Sequence, residues 1–325
     1  MCRCYSINQL LKENTLLVIC GGGIFFSFLF FGIIQEKITK GDYGHGDKFT
    51  FIQMLVAFQC IFSIIYAKTV LIYRKYSNSV QNKNQDDTPW FLYVSCATTY
   101  VFSMVSSNSS LRYVDYPTKV IGKACKPIAV LVLGYLWANK TYTKVKIACV
   151  SMIVVGIAIF SYDPSKGQGN LKSIETEYGQ ILLAISLLLD GFTTAIQEKM
   201  RSQKHRPTEF RLMFNMNLYS SFIVTTAAVY SGDAFNFIQF IKVYPTTMIL
   251  ILVYCFFGSV GQHFIFLTIV EFGPLTCSII STTRKFFTIL CSVIIFRNPM
   301  SLLKWMSTII VFTGLGLDTY FGKKK

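Results

Sequence analysis

The sequence predicts an all-α membrane protein with ten transmembrane helices. Of its 325 residues, 52% are hydrophobic and 14% are charged, whereas soluble proteins carry about 25% charged residues. The mean hydropathy of +0.47 means that the chain holds more apolar side chains than soluble cores would bury. This composition excludes disordered chains, nucleic-acid-binding modules and disulfide-stapled secreted domains. It leaves a net charge of +15 to be explained.

Ten apolar runs are long enough to cross a hydrocarbon core of about 30 Å as helices. They cover residues 16–35, 50–73, 90–111, 117–136, 144–162, 177–196, 209–230, 245–270, 274–296 and 300–320. A β-barrel is disfavoured because the runs are continuous and lack two-residue alternation. The first run is longer than the apolar core of a signal peptide, and no small-residue cleavage site follows it. We therefore expect the first helix to be retained.

The basic residues of the loops predict the orientation. Ten spans place both termini on one side, and the loops and tails of that side hold 15 Lys and Arg against 8 on the other. By the positive-inside rule, both termini face the cytosol. Eight of the ten cysteines lie inside spans and no C-x-x-C pattern is present, so we expect neither a disulfide framework nor a metal site or other cofactor.

The two halves of the chain repeat one another. The segment Ile34–Lys37 reads Ile-Gln-Glu-Lys, as does Ile196–Lys199, 162 residues later. A second set, Pro117, Lys126, Asn139, Gly156 and Tyr162, matches Pro274, Arg284 or Lys285, Asn298, Gly314 and Tyr320 at offsets of 157–159. Five spans per half make the second repeat inverted, an arrangement typical of alternating-access transporters. A duplication kept only for packing is the alternative.

These observations predict a domain organisation of two inverted five-helix repeats. The N-terminal repeat covers residues 1–162 and the C-terminal repeat residues 177–320. A connecting loop at 163–176 joins them, and a basic cytosolic tail follows at 321–325.

Lys144 and Lys146, at the start of the fifth span, are counted with the loop before it, and eight other basic residues fall within the spans. Three of them, Lys68, Arg211 and Lys304, lie near span ends, where long side chains reach water. The other five are Lys119, Lys123, Lys126, Arg284 and Lys285. A cation at the bilayer centre costs about 2.5–3.5 kcal/mol, and Asp190 is the only carboxylate well inside a span. We therefore expect a positive cavity that binds an anion.

The pattern of these cations favours a phosphorylated ligand. Lys119, Lys123 and Lys126 are spaced i, i+4 and i+7, which predicts one helical face, while Arg284 offers a fork suited to bidentate oxyanion binding. Candidate base or sugar contacts are Tyr116, Gln262 and Phe286, for which packing is the alternative. Glu36 and Glu198 occupy mirror-related positions and are candidate gates or ion-pair partners of the lysines. Plain helix-end charges are the alternative for these two glutamates.

Several segments resemble solute carrier family 35 subfamily B, in the nucleotide-sugar branch of the drug/metabolite-transporter superfamily. They are Tyr116–Ile128, Gly273–Thr288, Asp190-Gly191, Gln197, Met200-Arg201 and Gly261–Phe266, within a resemblance that covers about residues 15–322. The branch most similar is that of the endoplasmic-reticulum proteins related to UDP-galactose transporters. The resemblance implies the drug/metabolite-transporter fold and phosphate contacts at Lys123, Lys126, Arg284 and Lys285. Lys119 departs from the polar residue, often Gln, expected there.

The resemblance also implies an antiporter, and not an enzyme, that brings a nucleotide-sugar or nucleotide into the lumen in exchange for a lumenal nucleotide. UDP-galactose, UDP-glucose, and ATP exchanged for ADP are the substrates it suggests; a triose- or hexose-phosphate exchanger is the alternative. The expected location is the endoplasmic reticulum membrane, with the Golgi as alternative. The tail Lys323–Lys325 is off register for a dilysine signal, yet makes COPI-type retrieval machinery a candidate partner. The lipid bilayer is the other partner, nucleic acid is not expected, and the oligomeric state stays open.

Overall fold

The computed structural model describes residues 2–41, 43, 49–77, 88–110, 113–114, 122–123, 125–137, 141–161, 173–203, 205–295 and 302–321. These residues are helical apart from turns and short connections. The helices are α1 (Cys2–Lys40), α2 (Ile52–Tyr76), α3 (Trp90–Ser110), α4 (Lys126–Leu136), α5 (Lys144–Ser161), α6 (Ser173–Arg201), α7 (Glu209–Tyr230), α8 (Asp233–Val243), α9 (Thr246–Phe272), α10 (Pro274–Ile295) and α11 (Leu302–Phe321). The all-α prediction is confirmed.

Five helical segments in the described part of the chain are each long and apolar enough to cross a membrane. They are Asn14–Thr39, Ile52–Tyr76, Glu177–Arg201, Glu209–Tyr230 and Thr246–Phe272. Large apolar side chains on them remain exposed, such as Val18 at 73% and Phe222 at 75%. An apolar surface of this kind suits contact with lipid rather than water. The number of ten crossings and the inverted repeat stay predictions.

Two elements differ from the sequence prediction. A continuous helix was expected over 117–136, but α4 begins at Lys126, because Pro127 has no N–H to donate and fits only the first turn of a helix. Before it, the N–H of Cys125 donates to the Gly122 carbonyl at 3.0 Å, which closes a turn. The short helix α8 was not predicted. It follows Gly232, which has a φ of +80°. This left-handed conformation is one that glycine adopts more readily than other residues.

Some predicted features lie outside the described residues. They are Tyr116, Lys119 and the basic tail Lys323–Lys325. Lys285 lies within α10, but its side chain is not among those described.

Helix contacts divide the chain into two compact units. Unit 1 comprises residues 1–98 and 200–273, and unit 2 comprises residues 99–199 and 274–325. In unit 1, α1 packs on α9 and α2 packs on α7, while α8 contacts α2, α7 and α9. In unit 2, α5 packs on α11, and α4 packs on α10 and α5. Each unit thus combines residues from both halves of the chain, and the division into sequence repeats stays a prediction.

The contact between α5 and α11 is reciprocal. A Cβ placed on Gly156 would lie 2.7 Å from Val311 Cγ2, and one on Gly314 would lie 2.9 Å from Ile153 Cγ1. Gly314 follows Gly156 by 158 residues, and Val311 follows Ile153 by the same number. The backbones approach so closely because neither glycine carries a side chain, as is common where membrane helices pack.

Candidate anion-binding site

Asp190, on α6, is the centre of a buried charged cluster in unit 2. The residue is 7% exposed, and its Oδ2 lies 2.7 Å from Lys123 Nζ. Lys126 Nζ lies 3.6 Å from the other carboxylate oxygen, Oδ1. Ser103 Oγ, from α3, donates a hydrogen bond of 2.8 Å to that same oxygen. One carboxylate therefore faces two of the five cations that the sequence places inside the spans.

Serine hydroxyls join α3 to α6 around this carboxylate. Ser186 Oγ donates to the Ser103 carbonyl at 2.8 Å and accepts a hydrogen bond from Lys123 Nζ. About two turns further along α6, Thr193 Oγ1 donates to Thr99 Oγ1 at 2.8 Å. These hydrogen bonds pair hydroxyl groups that are buried between the helices. A buried polar group left without a partner would cost about 1–3 kcal/mol.

The two lysines are held differently. The Lys123 side chain is 15% exposed and donates to Asp190 Oδ2, Ser186 Oγ and, at 3.4 Å, Ser103 Oγ. The Lys126 side chain is 35% exposed, and its 3.6 Å approach to Asp190 is longer than a hydrogen bond. With both lysines charged and Asp190 ionised, the three groups together carry one net positive charge.

A cavity of about 320 Å³ opens beside this cluster in unit 2. Its lining comes from α3, the turn before α4, α4, α6 and α10. The lining residues are Tyr100, Ser103, Met104, Ser107, Asn108, Lys123, Lys126, Asp190, Ser281 and Thr282. The walls thus combine two cations and one carboxylate with hydroxyl and amide groups, a set that can bind a phosphate and hydrogen-bond a sugar or base.

The other basic site residue that is described, Arg284, lies close to this lining in sequence. It is half-buried on α10, one turn after Ser281. Phe286 on the same helix is 1% exposed and packs in a hydrophobic cluster with Val130 and Ile153. The structure thus gives Phe286 a packing role, and its contact with a base or sugar stays a prediction.

The remaining predicted site residues are not among those that line the cavity. Gln262, on α9 of unit 1, accepts a hydrogen bond of 3.0 Å at its Oε1 from Asn217 Nδ2. Glu36 is exposed on α1, whereas Glu198 is 8% exposed on α6. Their roles as a ligand contact and as gates stay predictions.

Sequence reasoning did not find Ser103 and Ser186, nor the pairing of Asp190 with Lys123 and Lys126. The signal for the ion pairs was present, because Asp190 is the one deep carboxylate among the predicted spans and the lysines need a counter-charge. The serines gave no such signal, since small polar residues are common along α3.

Long apolar helices with lipid-suited surfaces, together with a buried cluster of charges that lines a polar cavity, define a multi-pass membrane protein. Comparison with known families identifies it further. The UAA transporter family matches residues 16–322, and the chain belongs to this family. That membership places it among transporters rather than enzymes.

Several named relatives are similar over nearly their whole length. Solute carrier family 35 member B1 of Mus musculus is 44% identical over 318 residues, which cover 97% of this chain and 96% of that protein. The protein of the same name from Gallus gallus is 44% identical over 314 residues, covering 96% and 94%. The homolog from Drosophila melanogaster is 38% identical over 322 residues, covering 97% and 93%. The resemblance to solute carrier family 35 subfamily B is confirmed.

A known crystal structure shares the fold. It aligns with a TM-score of 0.57 over 94% of this chain and 98% of the other, at 11% sequence identity. At that identity the likeness concerns the fold alone.

Proposed function

We propose that this protein is an antiporter of the endoplasmic reticulum membrane with both termini in the cytosol. It brings a cytosolic nucleotide-sugar, UDP-galactose or UDP-glucose, or the nucleotide ATP, into the lumen in exchange for a lumenal nucleotide such as UMP or ADP. The observation that carries the proposal is the cavity of about 320 Å³ with Lys123 and Lys126 in its wall. Membership of the UAA transporter family supports it.

The lining suits a ligand with a phosphate at one end and hydroxyl groups at the other. Lysine ammonium groups bind phosphate oxygens as point charges, and Arg284, one turn along α10 from the lining, adds a bidentate donor. Ser107, Asn108 and Tyr100 offer hydrogen bonds to a sugar or a base. The volume falls within the range of about 300–1,000 Å³ that is usual for small-molecule sites.

The helix pairs support an alternating-access mechanism. In the predicted repeat, α2 corresponds to α7, α4 to α10 and α5 to α11, and each of these pairs is in contact. The glycines of α5 and α11 contact the opposite helix at positions 158 residues apart. Transporters built from inverted repeats change access by moving one bundle against another around a central site.

The positive charge of the site accounts for the exchange of one nucleotide for another. A site with more lysines and arginines than carboxylates is unfavourable when it is closed and empty, because buried charges need partners. A bound nucleotide neutralises it whichever direction the carrier faces. Differential stabilisation of the closed state by the anion couples entry of one nucleotide to exit of another. Glu36 and Glu198 are the proposed gates.

Counterflow uptake tests the proposal. Purified protein in liposomes preloaded with UMP, ADP or AMP should take up labelled UDP-galactose, UDP-glucose or ATP, and empty liposomes should not. Lys126→Gln should lose most of this uptake, whereas Lys68→Gln, an exposed lysine on α2, should retain it. Uptake of a triose or hexose phosphate that nucleosides do not inhibit would establish the alternative exchanger. Uptake into empty liposomes at the same rate would refute antiport.

A further inference from the structure

We infer that Asp190 is a built-in counter-anion, which a phosphate group must displace from Lys123 and whose return releases the phosphate again. The inference rests on the proposed function, since it concerns how that same site binds and releases its anion. In this inference Asp190 does not contact the ligand. It is a positioning residue that sets the affinity for the phosphate group and the rate of its release.

The first observation is that Lys123 has no donor to spare. An ammonium group has three N–H donors, and the Lys123 ammonium meets Asp190 Oδ2 at 2.7 Å, Ser186 Oγ, and Ser103 Oγ at 3.4 Å. A phosphate oxygen can bind this group only by replacing one of those acceptors. The carboxylate is the one that carries like charge to the incoming anion, so it is the acceptor that electrostatic repulsion drives out.

The second observation is that Lys126 is open to a ligand. Its side chain is 35% exposed and lies in the cavity wall, and its distance of 3.6 Å from Asp190 leaves donors available on the cavity side. An anion therefore meets Lys126 first and Lys123 second. In this order of contact, the association rate of the anion depends on Lys126 and its dissociation rate depends on Lys123.

The third observation is that the carboxylate has a place to remain. Ser103 Oγ donates to Asp190 Oδ1 at 2.8 Å, whereas Lys123 meets the other carboxylate oxygen, Oδ2. A displaced Asp190 keeps this bond and stays close to Lys123, where it competes for the ammonium while the ligand is bound. The competition lowers affinity and speeds release, as a carrier with rapid turnover requires. When the ligand has left, Asp190 again pairs with Lys123, so the empty site does not hold two lysines without a counter-charge.

Binding of inorganic pyrophosphate to the purified protein tests the inference. Titration calorimetry should give a Kd about tenfold lower for Asp190→Asn than for the unmodified chain, a change of about 1.4 kcal/mol that is close to the lower end of the coupling energies of close charge pairs. The matched control is Glu177→Gln, which removes an exposed carboxylate from the same helix and should leave Kd unchanged. In liposomes, Asp190→Asn should lower both KM and kcat.

A purely structural role for Asp190 predicts the reverse. If the carboxylate only holds Lys123 in place, Asp190→Asn raises Kd and KM. An unchanged or raised Kd in a variant with a normal melting temperature overturns the inference.

A second pair of variants keeps the test informative if Asp190→Asn does not fold. Lys126→Gln should slow the association of pyrophosphate, whereas Lys123→Gln should mainly speed its dissociation, as stopped-flow measurements would show. Equal effects on both rates contradict the order of contact. Because pyrophosphate binding needs no transport, these results stand even if nucleotide counterflow fails, so failure of the proposed function is recognised separately.

Discussion

Two helix pairs, α3 with α6 in unit 2 and α1 with α9 in unit 1, make contact through opposite chemistries. In the first pair, Ser103 donates to Asp190 at 2.8 Å. In the second, a Cβ on Gly261 would lie 2.8 Å from the ring of Phe28. In the predicted repeat, α6 corresponds to α1, since Asp190 follows Phe28 by 162 residues, and α9 corresponds to α3, since Gly261 follows Ser103 by 158. The two helix pairs therefore make corresponding contacts, which are polar in unit 2 and apolar in unit 1.

The apolar pair is built for close packing. Phe31 stacks on Tyr254 with ring centroids 4.2 Å apart, and Phe30 stacks on Phe257 at 5.1 Å. Aromatic pairs of this kind contribute about 0.5–1.5 kcal/mol beyond the area that they bury. The polar pair instead leaves a cavity and keeps charged groups beside it. The comparison shows that a few side chains decide whether a helix pair stabilises the fold by close packing or leaves a polar cavity that can bind a ligand.

The largest effect should come from Lys123→Met, which makes the polar pair more like the apolar one. Asp190, 7% exposed, would keep only the Ser103 hydrogen bond and the longer contact with Lys126, and breaking a buried ion pair costs about 3–5 kcal/mol. We expect this loss in the free energy of unfolding in detergent, together with loss of exchange. Lys68→Met on the exposed face of α2 is the control. A variant of normal stability and activity would show that the ion pair serves neither purpose.

An intermediate effect should come from adding one methyl group to the apolar pair. In Gly23→Ala the new Cβ would lie 2.5 Å from the Phe264 ring, whereas in Gly22→Ala it would meet nothing within 4 Å. Overpacking costs about 1–3 kcal/mol, while alanine in an open helical position gains up to about 1 kcal/mol over glycine.

Melting temperatures should therefore move in opposite directions for these neighbours, with KM unchanged in both. If Gly23→Ala changed KM instead, the apolar pair would share in ligand binding and the contrast between the units would fail.

The smallest effect should come from Thr99→Val, which removes one hydroxyl from the polar pair without touching its charges. Loss of the 2.8 Å bond with Thr193 should cost about 0.5–1.5 kcal/mol of unfolding free energy. Exchange should keep its KM within about twofold, because the cavity lining does not include this residue. A large change in KM would extend the functional part of the α3–α6 contact beyond Ser103, Ser186 and Asp190.

Hydropathy predicted the all-α class. The cost of a buried charge marked Lys123 and Lys126 as candidate site residues, but did not predict their pairing with Asp190. Local chemistry accounts for the differences. Pro127 lies in the first turn of α4, which begins at Lys126 within the span expected over 117–136. The helix α8, with 11 residues, is too short to cross a membrane. The pairing of Ser103 with Ser186 could not be predicted, since it depends on a contact between residues 83 positions apart.

The separation of Lys123 from Asp190 along the chain has a consequence for biosynthesis. The two residues are 67 positions apart, and at about 5–20 residues per second a ribosome needs roughly 3–13 s to make the second after the first. In the predicted span 117–136, Lys123 is without its carboxylate during that delay, and a lone cation at the bilayer centre costs about 2.5–3.5 kcal/mol. On that prediction, we expect the segment to insert stably only after Asp190 has been made.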